Sequence, residues 1–392
     1  MNRRTFLRQT ALASTAAWMP AFLRASAGLP PGTHEPILVM IQLSGGNDGL
    51  NTVIPMRDDR YFKARPGLGL GPQDCLAVGS DLGFHPALTG LHEMVQQGWL
   101  SAVHHVGYPH PDRSHFRSMD IWHSASGAHQ FWNHGWLGRW LDTQAGKPGP
   151  LGIELNESLN MAMKGLRENG LAVQNPDTLA RATQHLLLPE TPGANEGLPA
   201  LAYLYHTATE VKEQAQLLQN HFHKGKTTRD FPHHAFGQQM KTIAKLILSD
   251  APTRIYYAEL SGFDTHVGQK GKHERLLSQY GDTLLAFSEE MQTAGLMDKV
   301  VCLTFSEFGR RTEQNAGGGT DHGAASVVFV SGGPNRTFRT DWATPDLGNQ
   351  VDGDLAMKVD FRSIYSEILA KWLSANPESI LGQAFPHLGL FS

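Results

Sequence analysis

Five short apolar runs, Ile37 to Leu43, Ser101 to Val106, Arg254 to Leu260, Lys299 to Phe305 and Ser326 to Val330, alternate with longer helix-like segments. Runs of this length with apolar residues on both sides suit strands buried on both faces. Their alternation with helices places the chain in the α/β class, as a mostly parallel sheet covered by helices on both faces. The helix-like segments are Pro86 to Trp99, Ser114 to Ser126, Phe236 to Leu248, Lys272 to Met291 and Phe361 to Leu373, several opening on proline or a polar cap. Between about 142 and 232 the texture changes, with Pro/Gly punctuation at Lys147 to Pro150 and Pro189 to Gly193. That stretch predicts a mostly helical insertion in one domain spanning 28–392, without internal repeats.

The first 27 residues read as an export address. Arg3 and Arg4 precede an apolar, Ala-rich stretch from Ala11 to Leu23, and Ala25-Ser26-Ala27 supplies the small residues of a cleavage site. The pair of arginines resembles a twin-arginine signal, which implies the twin-arginine translocase as a partner and a periplasmic or secreted product. The apolar run, broken by Pro20 and Arg24, is too short for a span of about 20 residues. Removing the segment takes away four arginines and no acids, moving the net charge from −4 to −8. With no basic run anywhere, the chain is not expected to bind nucleic acid. Cys302 lies inside an apolar run and reads as a packed thiol rather than as half of a disulfide with Cys75.

The 20 histidines stand out, and many sit in loops beside Asp, Ser or Gly. In open parallel sheets, functional groups gather beyond the carboxyl ends of the strands. Four loops fit that position: Ser44 to Asn51, Tyr108 to Phe116, Ser261 to His266, and Ser306 to Arg311 with Gly319 to Gly323 close behind. Taken singly, each has a plainer reading. Asp48 suits a turn former, Ser114 a helix cap, Glu307 a salt bridge to Arg310 or Arg311, and Asp321-His322 a surface turn. Their conjunction after apolar strands favours a shared site. Other motifs fail: Gly67 to Gly71 lacks dinucleotide spacing, Ser44 and Ser306 lack a nucleophile elbow, and His92-Glu93 and His273-Glu274 lack a second zincin histidine. The aromatics Trp122, Phe131, Trp132, Trp136 and Trp140, with His123, His129 and His134 among them, read as packing.

The conjunction resembles the alkaline phosphatase and sulfatase superfamily, and more closely the twin-arginine-exported family called domain of unknown function 1501. The resemblance rests on Gly45-Gly46-Asn47-Asp48-Gly49-Leu50-Asn51, Arg113-Ser114-His115-Phe116, Gly262-Phe263-Asp264-Thr265-His266, Ser306-Glu307-Phe308-Gly309-Arg310 and Gly319-Thr320-Asp321-His322-Gly323. It implies an alkaline-phosphatase-like fold with Ser114 as nucleophile and two divalent metals roughly 4 Å apart. Asp48 matches the first aspartate, Asp264, His266 and His322 the ligands of one metal, and Glu307 an aspartate on the other. Phe308 departs from the pattern, because the superfamily carries a histidine there. Either Glu307 is a ligand, or the doublet Asp321-His322 is that motif displaced and Glu307 supports Arg310.

Three functions follow. The first is a metal-dependent hydrolase of phosphate or sulfate esters, with Arg310 or Arg113 steering the anion of a small ester or substituted polymer. The second is a non-catalytic exported module on the same fold, binding another exported protein. The third is a metal-free serine hydrolase using Ser114 with His115 or His322. One or two ions of Zn, Mn, Ca or Mg suit these donors equally at this level.

Overall fold

The computed structural model describes residues 35–184, 199–333 and 345–391, with helix side chains from residue 207 onward in the second stretch. The export segment therefore lies outside the described residues. Eight strands form the main sheet: β1 (Ile37–Ser44), β2 (Leu100–Gly107), β3 (Gly152–Glu154), β4 (Leu171–Ala172), β5 (Ile255–Ser261), β6 (Val300–Phe305), β7 (Ser326–Gly332) and β8 (Val359–Asp360). Their spatial order is β8-β2-β7-β6-β1-β5-β3-β4. The sheet is parallel except at β7, which pairs antiparallel with both β2 and β6.

Strand β1 shows why this sequence makes a doubly covered sheet. Val39, Ile41 and Leu43 enter one core, while Leu38 and Met40 enter the other. The first core is closed by α1 (Thr89–Gln96), and the second by α2 (His115–Ser124) and α3 (Trp136–Asp142). Helices α4 (Pro176–Gln184) and α5 (Pro199–Lys224) lie in the stretch predicted as an insertion. That stretch also supplies β3 and β4, which extend the main sheet rather than standing apart from it. The first core is completed by α6 (Ala235–Leu248) and α7 (Gln269–Thr293), the second by α8 (Phe361–Glu367), which continues through a π turn at Ile368–Trp372.

Helix α7 buries Leu276, Leu277, Tyr280, Leu284, Phe287 and Met291, the spacing of one helical face. Each such side chain contributes about 1.5–3 kcal/mol on leaving water. On the opposite face Trp122, Trp136 and Trp140 are buried, as expected of packing residues, whereas Phe131 is exposed under Arg117. Cys75 and Cys302 are both free thiols, and burial pushes Cys302 up to about 12. No helix among the described residues is long and apolar enough to cross a membrane.

Because β1, β2, β5 and β6 are parallel, their following loops share one edge of the sheet. Strand β7 runs the other way, so it is the segment before its start, carrying Asp321 and His322, that reaches this edge.

Candidate metal centre at the carboxyl edge of the sheet

Two glycines let the loops close over β1. Gly45 and Gly46 adopt φ of 116° and 75°, left-handed backbone that favours glycine. A Cβ on Gly45 would lie 2.4 Å from the Asp264 nitrogen, and one on Gly46 2.4 Å from the Phe308 ring. The Gly45-Gly46 pair is thus the space into which the Asp264 loop and Phe308 fit.

Three histidines from separate segments meet there. His115 opens α2, His266 follows β5, and His322 ends the short hairpin formed by Arg310–Gln314 and Thr320–His322. Each imidazole is tied at Nδ1 to an oxygen that can only accept. His115 donates to Glu307 Oε1 at 2.8 Å, His266 to Asp321 Oδ1 at 3.0 Å, and His322 to the Arg113 carbonyl at 2.8 Å. The proton of each neutral ring is therefore fixed at Nδ1, and its lone pair at Nε2. These Nε2 atoms surround Asp264 Oδ1, at 3.7 Å from His115 and 3.2 Å from both His266 and His322. Nε2 of His266 and Nε2 of His322 stand 2.9 Å apart, so two lone pairs face one another. His115 Nε2 is buried without a hydrogen-bond partner.

Convergent lone pairs around a carboxylate oxygen are satisfied by a cation. His115, Asp264 and His322 present ligand atoms that all lie within 4.8 Å of one another. Imidazole nitrogens with one carboxylate oxygen form a donor set suited to a divalent first-row metal, so the residues present fit the implied ion. Asp264 is held ready as an anion. Burial opposes its charge, but the Arg310 guanidinium, through its hydrogen bond and its charge, brings it down to about 2. The Glu307 hydrogen bond raises His115, whereas burial lowers His322. Phe308 is buried, its ring centroid 4.8 Å from that of His115 and 4.7 Å from that of His322. The phenylalanine that departs from the superfamily pattern forms an apolar wall against two of the imidazoles.

The other expected site residues take different places. Asp48 is outside the cluster, buried in an ion pair with Arg65 Nη1 at 2.5 Å and hydrogen-bonded by Gln269. It also caps the turn Gly49–Asn51, the plainer of its two readings. Glu307 supports His115 and the Gly45 amide rather than Arg310. Arg310, expected to steer an anion, is turned to the protein: its buried guanidinium donates to the carbonyls of Gly45, Gly46, Phe263 and Thr320 and to Asp264. Arg113 is paired with Asp354 through Nε and Nη2 at 3.0 and 2.6 Å. Asp321 anchors His266. Ser114 is exposed at the N-cap of α2, where its side chain makes no capping bond. His115, expected only as a partner of Ser114 in a metal-free hydrolase, joins the candidate ligand group, and its place beside Ser114 at a helix start is the signal in the sequence.

Asp48→Ala separates these assignments. It is expected to cost about 3–5 kcal/mol by leaving Arg65 buried without its carboxylate, with metal content at the wild-type level. Denaturant unfolding and elemental analysis read the two effects, and loss of the metal with stability preserved would return Asp48 to the ligand set.

Fold and site together define an α/β protein with a histidine and carboxylate cluster at the carboxyl edge of a mostly parallel sheet. The chain belongs to the family described as protein of unknown function (DUF1501), whose family model matches residues 75–375. It is similar to the PsFucS1 sulfatase from Pseudoalteromonas sp., at 9% identity and a TM-score of 0.42, over 94% of this chain and 72% of that one. It is also similar to the C-terminal periplasmic domain of EptC from Escherichia coli in complex with Zn, at 10% identity and 0.38, over 93% and 92%. A third similar structure is a protein in the alkaline phosphatase superfamily from Vibrio parahaemolyticus, at 11% identity and 0.32, over 81% and 70%. No curated protein matches the chain.

Proposed function

We propose that the chain is an exported, metal-dependent hydrolase of phosphate or sulfate esters. The observation that carries this reading is the trio of imidazoles fixed at Nδ1, with their Nε2 lone pairs around Asp264 Oδ1. His115, Asp264, His266 and His322 would hold a divalent cation. Such an ion supplies positive charge at a developing oxyanion and lowers the pKa of a bound oxygen nucleophile.

The chain's own residues supply the rest. Ser114 presents a hydroxyl to solvent directly before the ligand His115, and the open first turn of α2 offers backbone N–H groups to an anion. Asp112 accepts the Ser114 amide at 2.7 Å, which fixes the approach of the loop. Glu307 and Arg310 act through His115 and Asp264, keeping one proton at Nδ1 and one charge on Oδ1. The motifs shared with the alkaline phosphatase and sulfatase superfamily support the ester class, and the Arg3-Arg4 segment supports export through the twin-arginine translocase.

A second reading, a non-catalytic exported binding module on the same fold, is favoured by one feature. Arg310 is fully engaged by protein oxygens and Arg113 is paired with Asp354, so neither nearby guanidinium is committed to a substrate anion. The two readings part on Ser114→Ala. For the hydrolase, turnover of p-nitrophenyl phosphate or sulfate falls on the order of 10³-fold or more, with metal content and thermal stability unchanged. Turnover equal to wild type removes Ser114 from the mechanism, and no turnover by the metal-loaded wild-type chain across an ester panel favours the binding module.

A further inference from the structure

Beside the histidine cluster lies a cavity of about 720 Å³, a size typical of small-molecule sites. Its walls are the end of β2 with the loop through Arg113, the segment at Ala324 and Ala325, and residues between Val351 and Met357. It adjoins the centre through Arg113: this residue lines the cavity, its carbonyl holds His322, and Ser114 follows it. A group bonded to an ester at the cluster would have this space next to it.

The lining restricts what that group can be. Pro109, Pro111, Leu355 and Met357 offer apolar surface, and Asp112, Arg113 and Asp352 offer polar groups at least partly open to solvent. An alkyl chain would strip water from Asp352 and Arg113 and return no hydrogen bonds. A polyanion would meet the carboxylates of Asp112, Asp352 and Asp354, against an arginine already paired with Asp354. A neutral group with several hydroxyls suits both parts of the wall. Its hydroxyls donate to carboxylates and accept from guanidinium, and its C–H faces lie on the apolar residues. Arg113 is prepared for this role, since Asp354 holds Nε and Nη2 while Nη1 has no hydrogen-bond partner among the described residues.

We propose that this cavity is the subsite for the non-reacting part of the substrate and that it takes a neutral, polyhydroxylated ring such as a sugar residue. The proposal rests on the hydrolase reading of the adjoining centre. The experiment is calorimetric binding to the zinc-loaded full chain, using inorganic phosphate, inorganic sulfate, the 6-phosphates of glucose, galactose and mannose, and cyclohexyl phosphate, a similar ring without hydroxyls. At least one sugar phosphate is expected to bind roughly ten- to a hundredfold tighter than both inorganic and cyclohexyl phosphate. Asp352→Gly is the test variant, because Asp352 has φ of 54°, which glycine adopts freely. It should lower the sugar preference about tenfold and leave inorganic phosphate binding unchanged. Cyclohexyl phosphate binding as tightly as every sugar phosphate, or a preference unaltered by Asp352→Gly, overturns the subsite. If neither inorganic phosphate nor inorganic sulfate binds, the hydrolase reading fails, and the cavity is then judged alone by methyl glycosides of the same sugars. Binding that Asp352→Gly weakens upholds it, and no binding overturns it.

Discussion

A His322→Ala chain is expected to purify without its divalent ion, and His115→Ala should do the same, while Ser114→Ala retains a full equivalent. The argument begins from lone pairs. With its proton committed to the Arg113 carbonyl, His322 points its free nitrogen at Asp264 and at Nε2 of His266, 2.9 Å away. Removing it deletes a donor that belongs to two close pairs, and no other described residue stands in the same position. The effect of the supporting carboxylate should be graded: Glu307→Gln leaves His115 in place but removes the charge at its Nδ1, expected to weaken zinc binding about 10–100-fold. Elemental analysis and competition with a chromophoric chelator give both numbers. Wild-type zinc affinity in Glu307→Gln together with His322→Ala would dismiss the centre. If Glu307→Gln matched His322→Ala in losing all metal, Glu307 would be a ligand and not a support.

What was legible in the sequence follows from what each feature depends on. The five long strands were visible because a strand buried on both faces needs only apolar residues in a row, as in Ile37 to Leu43. The direction of β7 was not, because such a run reads the same in a parallel or an antiparallel pair. Strands of three and two residues, Gly152–Glu154 and Leu171–Ala172, are too short to carry a period. At the site, Asp264, His266 and His322 could be selected because their motifs put ligand types in loops after or before strands. Asp48 could not be placed outside the cluster, because Arg65, the residue that takes its charge, sits 17 positions away in a stretch that reads as a charged loop. Glu307 reads as a metal ligand or as a support of Arg310, because its partner His115 lies 192 residues away. Arg310 looked like an anion-steering group because its actual partners are mostly backbone carbonyls, which have no letter in a sequence.

Acid is expected to unfold the chain well before its surface carboxylates are titrated. His104, His123 and His273 are buried side chains outside the metal cluster. Burial dominates all three, bringing His104 and His273 down to about 3 and His123 to about 4. In the unfolded chain each returns to about 6.5. Above pH 6.5 these rings are neutral in both states and weigh on neither. As the pH falls below 6.5 the unfolded chain takes up protons that the folded chain refuses, so stability is lost progressively until the folded values near 3 to 4 are reached. Glu154 works in the opposite direction: burial pushes its carboxyl up to about 7, so between pH 7 and 4.5 the folded chain holds a proton that the unfolded chain releases. Among these four groups the balance near pH 5.5 is an uptake of about two protons on unfolding, or a loss of about 3 kcal/mol per pH unit. Between pH 7 and pH 4 their contribution is a loss of about 6 kcal/mol, comparable with the whole stability of an ordinary domain. Urea unfolding from pH 7 to pH 4.5 measures this slope, and the His322→Ala chain is the right background because it removes the pH dependence of metal binding. His123→Gln, which keeps a polar partner for Gln42 and Tyr257, should reduce the slope by about one proton. A slope near zero in the background chain would mean that the three imidazoles are reached by water or carry charge in the folded state, and the packing around them would have to be revised.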